Sequence, residues 1–281
     1  MGLSDKEQSR LRSKYGPWAM VTGATSGVGR VLARLLGEAG FNLLLVSKNG
    51  DKLAALDQAW RAQFGIQIRA VKTDLTDHPS LQTLLLESES LEIGLVVQAA
   101  GFGAFGDFSD SNLSENLSMV RLNCEAVGTI AHHFTHRFLE MGRGGIIFMS
   151  SLLAYQSSPH TAQYAATKAY VQSLAESLRV ELRHRKIDIL SVVPGPINSG
   201  FVKRAHLQLK YSSKPEDISE EILESLGRDG VVNPGILSKV IVWALNAAPR
   251  SIRIRIMQMF IGGMIRSQTD ETPAPSQNPQ R

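Results

Sequence analysis

Between Pro17 and Val232, short and largely apolar runs alternate with longer segments of helical period. Trp18-Ala19-Met20-Val21 is the first run, and Val31 to Ala39 behind it repeats apolar residues at helical spacing. Leu43-Leu44-Leu45-Val46 and Ile66-Gln67-Ile68-Arg69-Ala70-Val71 follow. Then come Leu95-Val96-Val97, Ile146-Ile147-Phe148-Met149, Ile187 to Val193 and the short Val231-Val232. Helix-length segments lie between them at 50–64, 78–89, 112–140 and 162–185. Apolar runs that do not alternate with polar residues predict strands buried on both faces. Strands separated by helices predict parallel pairing, because the chain must cross over to re-enter the sheet in the same direction. The expectation is an α/β fold: one doubly wound parallel sheet of about seven strands with helices on both faces.

Outside this frame the pattern changes. Met1 to Lys14 is polar and charged and lacks the apolar centre of a signal peptide, so 1–14 is expected to be a polar segment ahead of a domain at 15–266. Residues 200–227 are mixed and helical in flavour. Residues 236–266 are apolar and basic, broken by Pro249, and predict a C-terminal helical extension. Residues 267–281 carry Pro273, Pro275 and Pro279 among polar residues and are expected to be a disordered tail. No window holds 18 uninterrupted apolar residues, so no transmembrane helix is expected. No repeat and no linker divides the chain.

Composition narrows the class of function. Hydrophobic residues are 43% of 281, enough for a sizeable core. The single cysteine, Cys124, excludes an intrachain disulfide framework and reads as a small core residue on an apolar helical face. These features fit the cytoplasm. The net charge is +4, but the bases are scattered with no aromatic-interleaved basic stripe, so no nucleic-acid partner is expected. A polyanionic cofactor would suit a locally positive site.

The first run leads into Thr22-Gly23-Ala24-Thr25-Ser26-Gly27-Val28-Gly29, which opens a helix. Glycines permit a tight turn and close approach to a pyrophosphate, and the helix N-terminus offers free amides to it. A strand, a glycine loop and a helix in that order predict a Rossmann-type dinucleotide site. Such folds usually place Asp or Glu at the end of the second strand to hold the ribose hydroxyls. Here the residues are Ser47-Lys48-Asn49. A carboxylate would repel a 2′-phosphate whereas Lys48 attracts it, which points to NADP(H) over NAD(H).

Tyr164-Ala165-Ala166-Thr167-Lys168 lies in the segment 162–185. Residues four apart share a helix face, so an ammonium can sit near the phenol. A free tyrosine titrates near 10, and lowering that by roughly three units takes about 4 kcal/mol of phenolate stabilisation. A lysine and a nicotinamide cation together suffice for that. Ser151 stands thirteen residues before the tyrosine, just past the fifth run. Asn123 lies in Val120-Arg121-Leu122-Asn123, and Pro194-Gly195-Pro196-Ile197-Asn198-Ser199 follows the sixth run.

In order and placement these motifs resemble the short-chain dehydrogenase/reductase family, from about Pro17 to Gly235. The glycine spacing, Gly-x-x-x-Gly-x-Gly, resembles its shorter-loop branch; extended members usually have two residues between the last glycines. The resemblance implies an NADP(H)-dependent oxidoreductase that transfers a hydride between nicotinamide and a carbonyl or alcohol carbon. It implies that Tyr164 exchanges the proton and that Lys168 lowers its pKa and binds the nicotinamide ribose. Ser151 is chosen over Ser150 by spacing and polarises the carbonyl, while Asn123 anchors a proton-relay water. It implies Asp74-Leu75 at the adenine, Ala100 and Gly101 after the fourth strand, and Pro194, Gly195, Ile197 and Ser199 beside the nicotinamide. Ser199 stands where a threonine is usual. One departure is Gln98-Ala99-Ala100-Gly101, where the family reads Asn-Asn-Ala-Gly; Ala99 cannot supply the sheet-bracing hydrogen bonds of an asparagine.

Leu152 to Gln163 and Phe201 to Lys214 are expected to frame the substrate, with Leu152, Leu153, Tyr155, Phe201 and Leu207 suggesting an apolar one. Ala131-His132-His133-Phe134-Thr135-His136 has metal-like spacing but no completing ligand, and no metal is expected. Arg250, Arg253, Arg255 and Arg266 punctuate the apolar segment Val240 to Arg266, which reads as a packed helical pair, a subunit interface or a surface touching anionic lipid. This extension, with Ala100-Gly101-Phe102-Gly103, resembles a branch containing lipid and 3-oxoacyl reductases. The family likeness also implies a homodimer or homotetramer through the helices bearing Asn123 and Tyr164. The competing readings are a non-catalytic NADP(H)-sensing or scaffold protein, and a membrane-peripheral lipid-handling protein on the same fold.

Overall fold

The computed structural model describes residues 2–198, 212–247, 249, 252–255 and 257–258. Seven parallel strands form one sheet in the order β3-β2-β1-β4-β5-β6-β7. They are β1 (Trp18–Thr22), β2 (Asn42–Ser47), β3 (Ile68–Lys72), β4 (Ile93–Gln98), β5 (Gly144–Met149), β6 (Ile187–Val192) and β7 (Val231–Val232). The crossovers are α2 (Gly27–Glu38), α3 (Gly50–Phe64), α4 (His78–Ser88), α5 (Leu113–Val120), α6 (Val127–Met141), α7 (Ala162–Leu182) and α8 (Pro215–Ser225). This is the doubly wound α/β fold that the apolar runs predict. β1 pairs with β2 on one side and β4 on the other, so the chain winds outward in both directions from there. That reversal leaves a crevice at the carboxyl ends of β1 and β4.

Two cores cover the two faces of the sheet. One packs Leu32, Leu35 and Leu36 of α2 and Ile222 of α8 against Val21, Leu45 and Val97. The other packs Leu84, Phe134, Phe138 and Val171 against Met20, Val96, Ile146 and Ile189. Every residue of β4 is buried, whereas β3 at the edge exposes Arg69, Ala70 and Lys72. At that edge Ile66 and Gln67 stay outside the strand, and Asn42 Oδ1 accepts the Gln67 amide at 2.9 Å.

The polar segment at the N-terminus is no mere leader to the domain. It forms α1 (Asp5–Tyr15), capped by Ser4, whose Oγ accepts from the Glu7 amide. Leu11 and Tyr15 share one face at an i, i+4 spacing and are fully buried. Tyr15 donates to Asp188 Oδ2 at 2.7 Å, and Arg10 donates to the Leu226 carbonyl at 2.8 Å. The Tyr15 side chain fits because Gly145 and Gly227 carry no Cβ: one built there would stand 3.0 Å from its ring and 2.5 Å from its hydroxyl. Two apolar residues among many charges give no periodic signal, which is why the sequence shows only a polar segment there.

The segment 112–140 is not one uniform helix. Between α5 and α6 the residues Arg121–Ala126 form π-helical turns. Behind β7, α9 (Ile236–Ala247) and residues 252–255 are helical. The expected tail at 267–281 lies outside the described residues.

Candidate active site

The glycine loop leaves β1 at the crevice. Gly23 has φ +68°, and a Cβ there would meet the Ala99 carbonyl and Ala100 amide at 2.9 Å. A Cβ at Gly29 would stand 3.0 Å from Ala99 Cβ. The small Ala99 is thus what lets α2 approach β4. The bracing expected of an asparagine is taken over by Thr22, whose Oγ1 accepts the Ala100 amide at 3.1 Å. Gly27, also at positive φ, opens α2 behind Ser26, which makes no side-chain cap. The first-turn amides of α2 therefore suit a pyrophosphate, and a loop without side chains lets it approach. Val28 is turned into the core, so it can offer the cofactor only backbone.

Thr25 Oγ1 and Ser47 Oγ lie 2.7 Å apart and tie the loop to the end of β2. Lys48 Nζ lies 2.9 Å from Asp74 Oδ2. Burial would raise the Asp74 pKa, but hydrogen bonds from Lys48 and Thr76 outweigh it and hold the carboxyl below its usual value. Lys48 is therefore already paired, with the residue expected at the adenine. Asn49 is spent differently from the expectation: its Oδ1 accepts the Lys52 amide at 2.9 Å and caps α3. Leu75 is buried in the second core.

The residues expected to do acid–base work meet where β5 ends and α7 begins. Ser151, not Ser150, is the serine whose side chain acts on Tyr164, holding its pKa down against burial. Ser151 Oγ also accepts the Leu153 amide at 3.2 Å, which fixes its rotamer. Ser150 turns away to the Lys168 carbonyl. Lys168 Nζ donates to the Met149 carbonyl at 2.8 Å and lies 5.7 Å from the centroid of the Tyr164 ring. The expected lowering of the tyrosine calls on Lys168 and a nicotinamide cation together; in the ligand-free protein burial dominates. Burial pushes Tyr164 up to about 12, against the Ser151 hydrogen bond, and pushes Lys168 down to about 8. The ammonium sits over the ring rather than at the hydroxyl, so burial wins.

Asn123 lies in the π turn and is fully buried. Its Nδ2 donates to the Phe102 carbonyl at 2.8 Å and to Thr167 Oγ1 at 3.1 Å, and its Oδ1 accepts the Phe102 amide at 3.2 Å. Both amide hydrogens are thus committed to the protein, and neither is left for the expected water. Gly101 presses against this group: a Cβ there would stand 3.1 Å from Asn123 Oδ1 and 3.6 Å from Lys168 Nζ. Cys124, expected in the core, is half-buried instead, with its Sγ 3.9 Å from the Thr167 carbonyl.

Sequence reasoning missed the cover of the site. The Phe105 ring packs on the Tyr164 ring, centroids 5.6 Å apart. The loop that carries it is fastened to the loop before α7. Gly106 N donates to the His160 carbonyl at 2.9 Å, and His160 Nδ1 lies 2.7 Å from Asp107 Oδ1. His160 holds φ +66°, a conformation that favours glycine. A cavity of about 340 Å³ opens between these loops, lined by Phe105, Phe108, Asn112, Asn116, His160 and Gln163. His160 falls within the stretch Leu152 to Gln163 expected to frame the substrate, whereas Phe105 sits in no motif and no spacing marks it.

Beyond β6, the Pro194 carbonyl accepts the Leu152 amide at 3.3 Å and the Gly195 amide donates to Ser238 Oγ at 2.7 Å. Ile197 bridges to Ser213 through its neighbours, Pro196 and Asn198, so its own amide and carbonyl point away from Ser213. Leu152 and Leu153 are buried, while Tyr155 is exposed. Leu153 joins Phe102, Met119, Tyr164, Leu245 and Met257 in one cluster, so the C-terminal segment packs directly onto the surroundings of Tyr164. Ser199, Phe201 and Leu207 lie outside the described residues. His132 and His136 pair ring to ring at 4.6 Å. Among the described residues no group of three His, Cys, Asp or Glu side chains is placed to hold a metal ion.

The chain matches the family model for short chain dehydrogenase over residues 17–210. It is 28% identical over 255 residues to a 7beta-hydroxysteroid dehydrogenase of Clostridium sardiniense, covering 89% of this chain and 98% of that one. It is 34% identical over 194 residues to a very-long-chain 3-oxoacyl-CoA reductase-like protein of Arabidopsis thaliana, covering 67% of this chain and 62% of that one. Among solved structures, one from a study of 7beta-hydroxysteroid dehydrogenase stereoselectivity superposes with a TM-score of 0.81 at 26% identity, covering 88% of this chain and 98% of that one. A short-chain dehydrogenase from Sphingobium yanoikuyae in complex with NADPH gives 0.75 at 23% identity, covering 95% and 100%, and speaks for the fold alone.

Proposed function

The chain belongs to the short-chain dehydrogenase family, oxidoreductases that work between hydroxyl and carbonyl groups with a nicotinamide cofactor, and from that premise we propose that it reduces a bulky apolar ketone with NADPH. The observation that carries this reading is Lys168 Nζ, anchored on the Met149 carbonyl at 2.8 Å and set 5.7 Å from the centroid of the Tyr164 ring, with Ser151 holding the phenol's pKa down against burial. The bound dinucleotide supplies the hydride from its nicotinamide. Tyr164 donates the proton to the carbonyl oxygen. With its pKa at about 12 the phenol holds its proton at pH 7, the form that reduction needs. Ser151 shares that hydroxyl and holds the carbonyl oxygen beside it. Lys168 binds the nicotinamide ribose and resupplies the proton. Asn123 braces the Phe102 backbone, and the π turn around it holds the relay water through backbone groups. Thr25, Ser26, Gly27 and Gly29 take the pyrophosphate, and Lys48 takes a 2′-phosphate by exchanging its Asp74 partner.

The substrate class rests on Phe105 and on the relatives. An apolar ring over the phenol suits a flat, apolar ketone, and the 7beta-hydroxysteroid dehydrogenase aligns over nearly its full length. A steroid-like ketone is therefore favoured over a 3-oxoacyl thioester. A non-catalytic sensor is disfavoured because both Ser151 and Lys168 are set beside Tyr164. Among the described residues no helix is long and apolar enough to cross a membrane. The reading places the enzyme in the cytoplasm, as a homodimer or homotetramer paired through the exposed Leu117, Leu139 and Tyr170 of α5, α6 and α7.

The test is NADPH oxidation against a panel of steroid ketones, 3-oxoacyl thioesters and small aromatic ketones, with NADH as control. The expected result is turnover of a bulky ketone with NADPH, and a Tyr164→Phe variant that still binds NADPH but turns over roughly a thousandfold more slowly. Wild-type turnover in that variant would overturn the assignment.

A further inference from the structure

α9 has two apolar faces. Ser238, Ile241 and Leu245, spaced by three and four, point inward. Ser238 accepts the Gly195 amide, Leu245 is 2% exposed, and Ile241 packs on the Tyr164 cluster. Ile236, Val240 and Trp243, spaced by four and three, form the other stripe and are 82%, 56% and 73% exposed. Ile252 and Ile254 in the next helical segment are exposed too. A lone exposed aliphatic residue needs no explanation, but a contiguous stripe centred on a tryptophan marks an interaction surface.

Charge decides what covers it. From 236 to 269 the sequence holds Lys239, Arg250, Arg253, Arg255 and Arg266 and no Asp or Glu. Lys239 is paired with Glu221 of α8 at 2.7 Å, and Arg255 stands exposed beside Ile254. A second copy of the chain is a poor occupant. A two-fold contact sets the same patch against itself, and this segment would then face its own positive charge without one carboxylate of its own in compensation. Aliphatic side chains and a tryptophan on one exposed helix face, with Lys239 neutralised by Glu221 and the exposed Arg255 nearby, in a segment whose sequence is basic throughout, match the interface of an anionic bilayer. We propose that the outer face of α9 is a docking surface for anionic lipid. The inner face of the same helix touches the Tyr164 cluster, so lipid seated there lies about one helix diameter, ~10 Å, from the catalytic wall. That geometry delivers an apolar ketone from the bilayer without passage through water.

Flotation of the full chain on phosphatidylcholine vesicles, with and without phosphatidylglycerol, tests this independently of any enzyme activity. The expected result is recovery with the phosphatidylglycerol vesicles only, loss of that recovery at high salt, and a blue shift of tryptophan emission on binding. Trp60 is buried and Trp18 half-buried, so that shift reports Trp243. Trp243→Glu, and separately Val240→Glu, should weaken binding roughly tenfold or more with an unchanged melting temperature. Absent binding to phosphatidylglycerol vesicles, or equal binding by both variants, overturns the proposal. So does a lipid-free dimer that is lost in both variants, because it would assign the face to a second copy.

Discussion

The ring of Phe105 lies across the ring of Tyr164, with centroids 5.6 Å apart and planes tilted by 43°. A residue from the loop after β4 thereby seals a residue of α7, and part of the burial that keeps the phenol protonated comes from this contact. Phe105→Ala removes an aromatic pair worth about 1 kcal/mol beyond its buried area. The expected outcome is a fall of roughly tenfold in kcat/KM for a bulky apolar ketone. A small aliphatic ketone should lose less. Ultraviolet titration of the ligand-free variant should show Tyr164 moving down from about 12, since burial is what raised it.

Lys168 makes a second prediction, on stability. Its pKa falls from 10.5 in the unfolded chain to about 8 in the ligand-free fold, because burial disfavours the ammonium. A folded pKa below the unfolded one means that the unfolded state binds more protons between those values, so stability rises with pH across that window. The shift corresponds to about 3 kcal/mol, held back in full below pH 8 and recovered by pH 10.5. Urea unfolding of the wild type and of Lys168→Met should show a gap that changes by this order between pH 7.5 and 10, with the rise confined to the wild type.

The Lys48–Asp74 pair predicts the cofactor response. Lys48→Ala should raise the Kd for NADPH roughly tenfold and leave that for NADH nearly unchanged, since a 2′-phosphate is the difference between them. Asp74→Asn frees the ammonium from its present partner and should tighten NADPH. Isothermal titration with both dinucleotides checks both. Equal losses for the two cofactors in Lys48→Ala would mean that the lysine serves only the strand end.

Tyr15 predicts that α1 is part of the domain's stability. The side chain is fully buried against Gly145 and its hydroxyl is bonded to Asp188. Burial, followed by the Asp188 charge, pushes the phenol well above its ordinary value, so it stays neutral throughout the physiological range. Tyr15→Ala should cost about 3–5 kcal/mol, read as a lower urea midpoint with an unchanged slope. Gly145→Ala should also destabilise, because its methyl meets the ring.

These sites also show how far a sequence can be read. The strands were legible because a parallel sheet buries both faces, and β1, β2, β4 and β5 each hold an unbroken apolar run of three residues or more. The order of the glycine loop, Ser151, Tyr164 and Lys168 was legible because fixed backbone spacing carries them to one edge. The Lys48–Asp74 pair was not, since it needs the register of β2 on β3 to bring the two strand ends together. Nor were the π turn, which keeps the helical period of its apolar residues, or Phe105, whose role depends on how a loop folds back. The committed amide of Asn123 was invisible for the same reason: its partners are backbone groups of Phe102, twenty-one residues away.

The hydrogen bond from Gly195 to Ser238 ties α9 to the loop after β6, so with the proposed lipid surface α9 would stand between two ligands. Thermodynamic linkage then binds them reciprocally. Whatever factor an anionic lipid surface adds to the affinity for an apolar ketone, the ketone must return to the affinity for the surface. An enzyme loaded with substrate would thus dwell longer on the bilayer than an empty one, and product release would favour its departure.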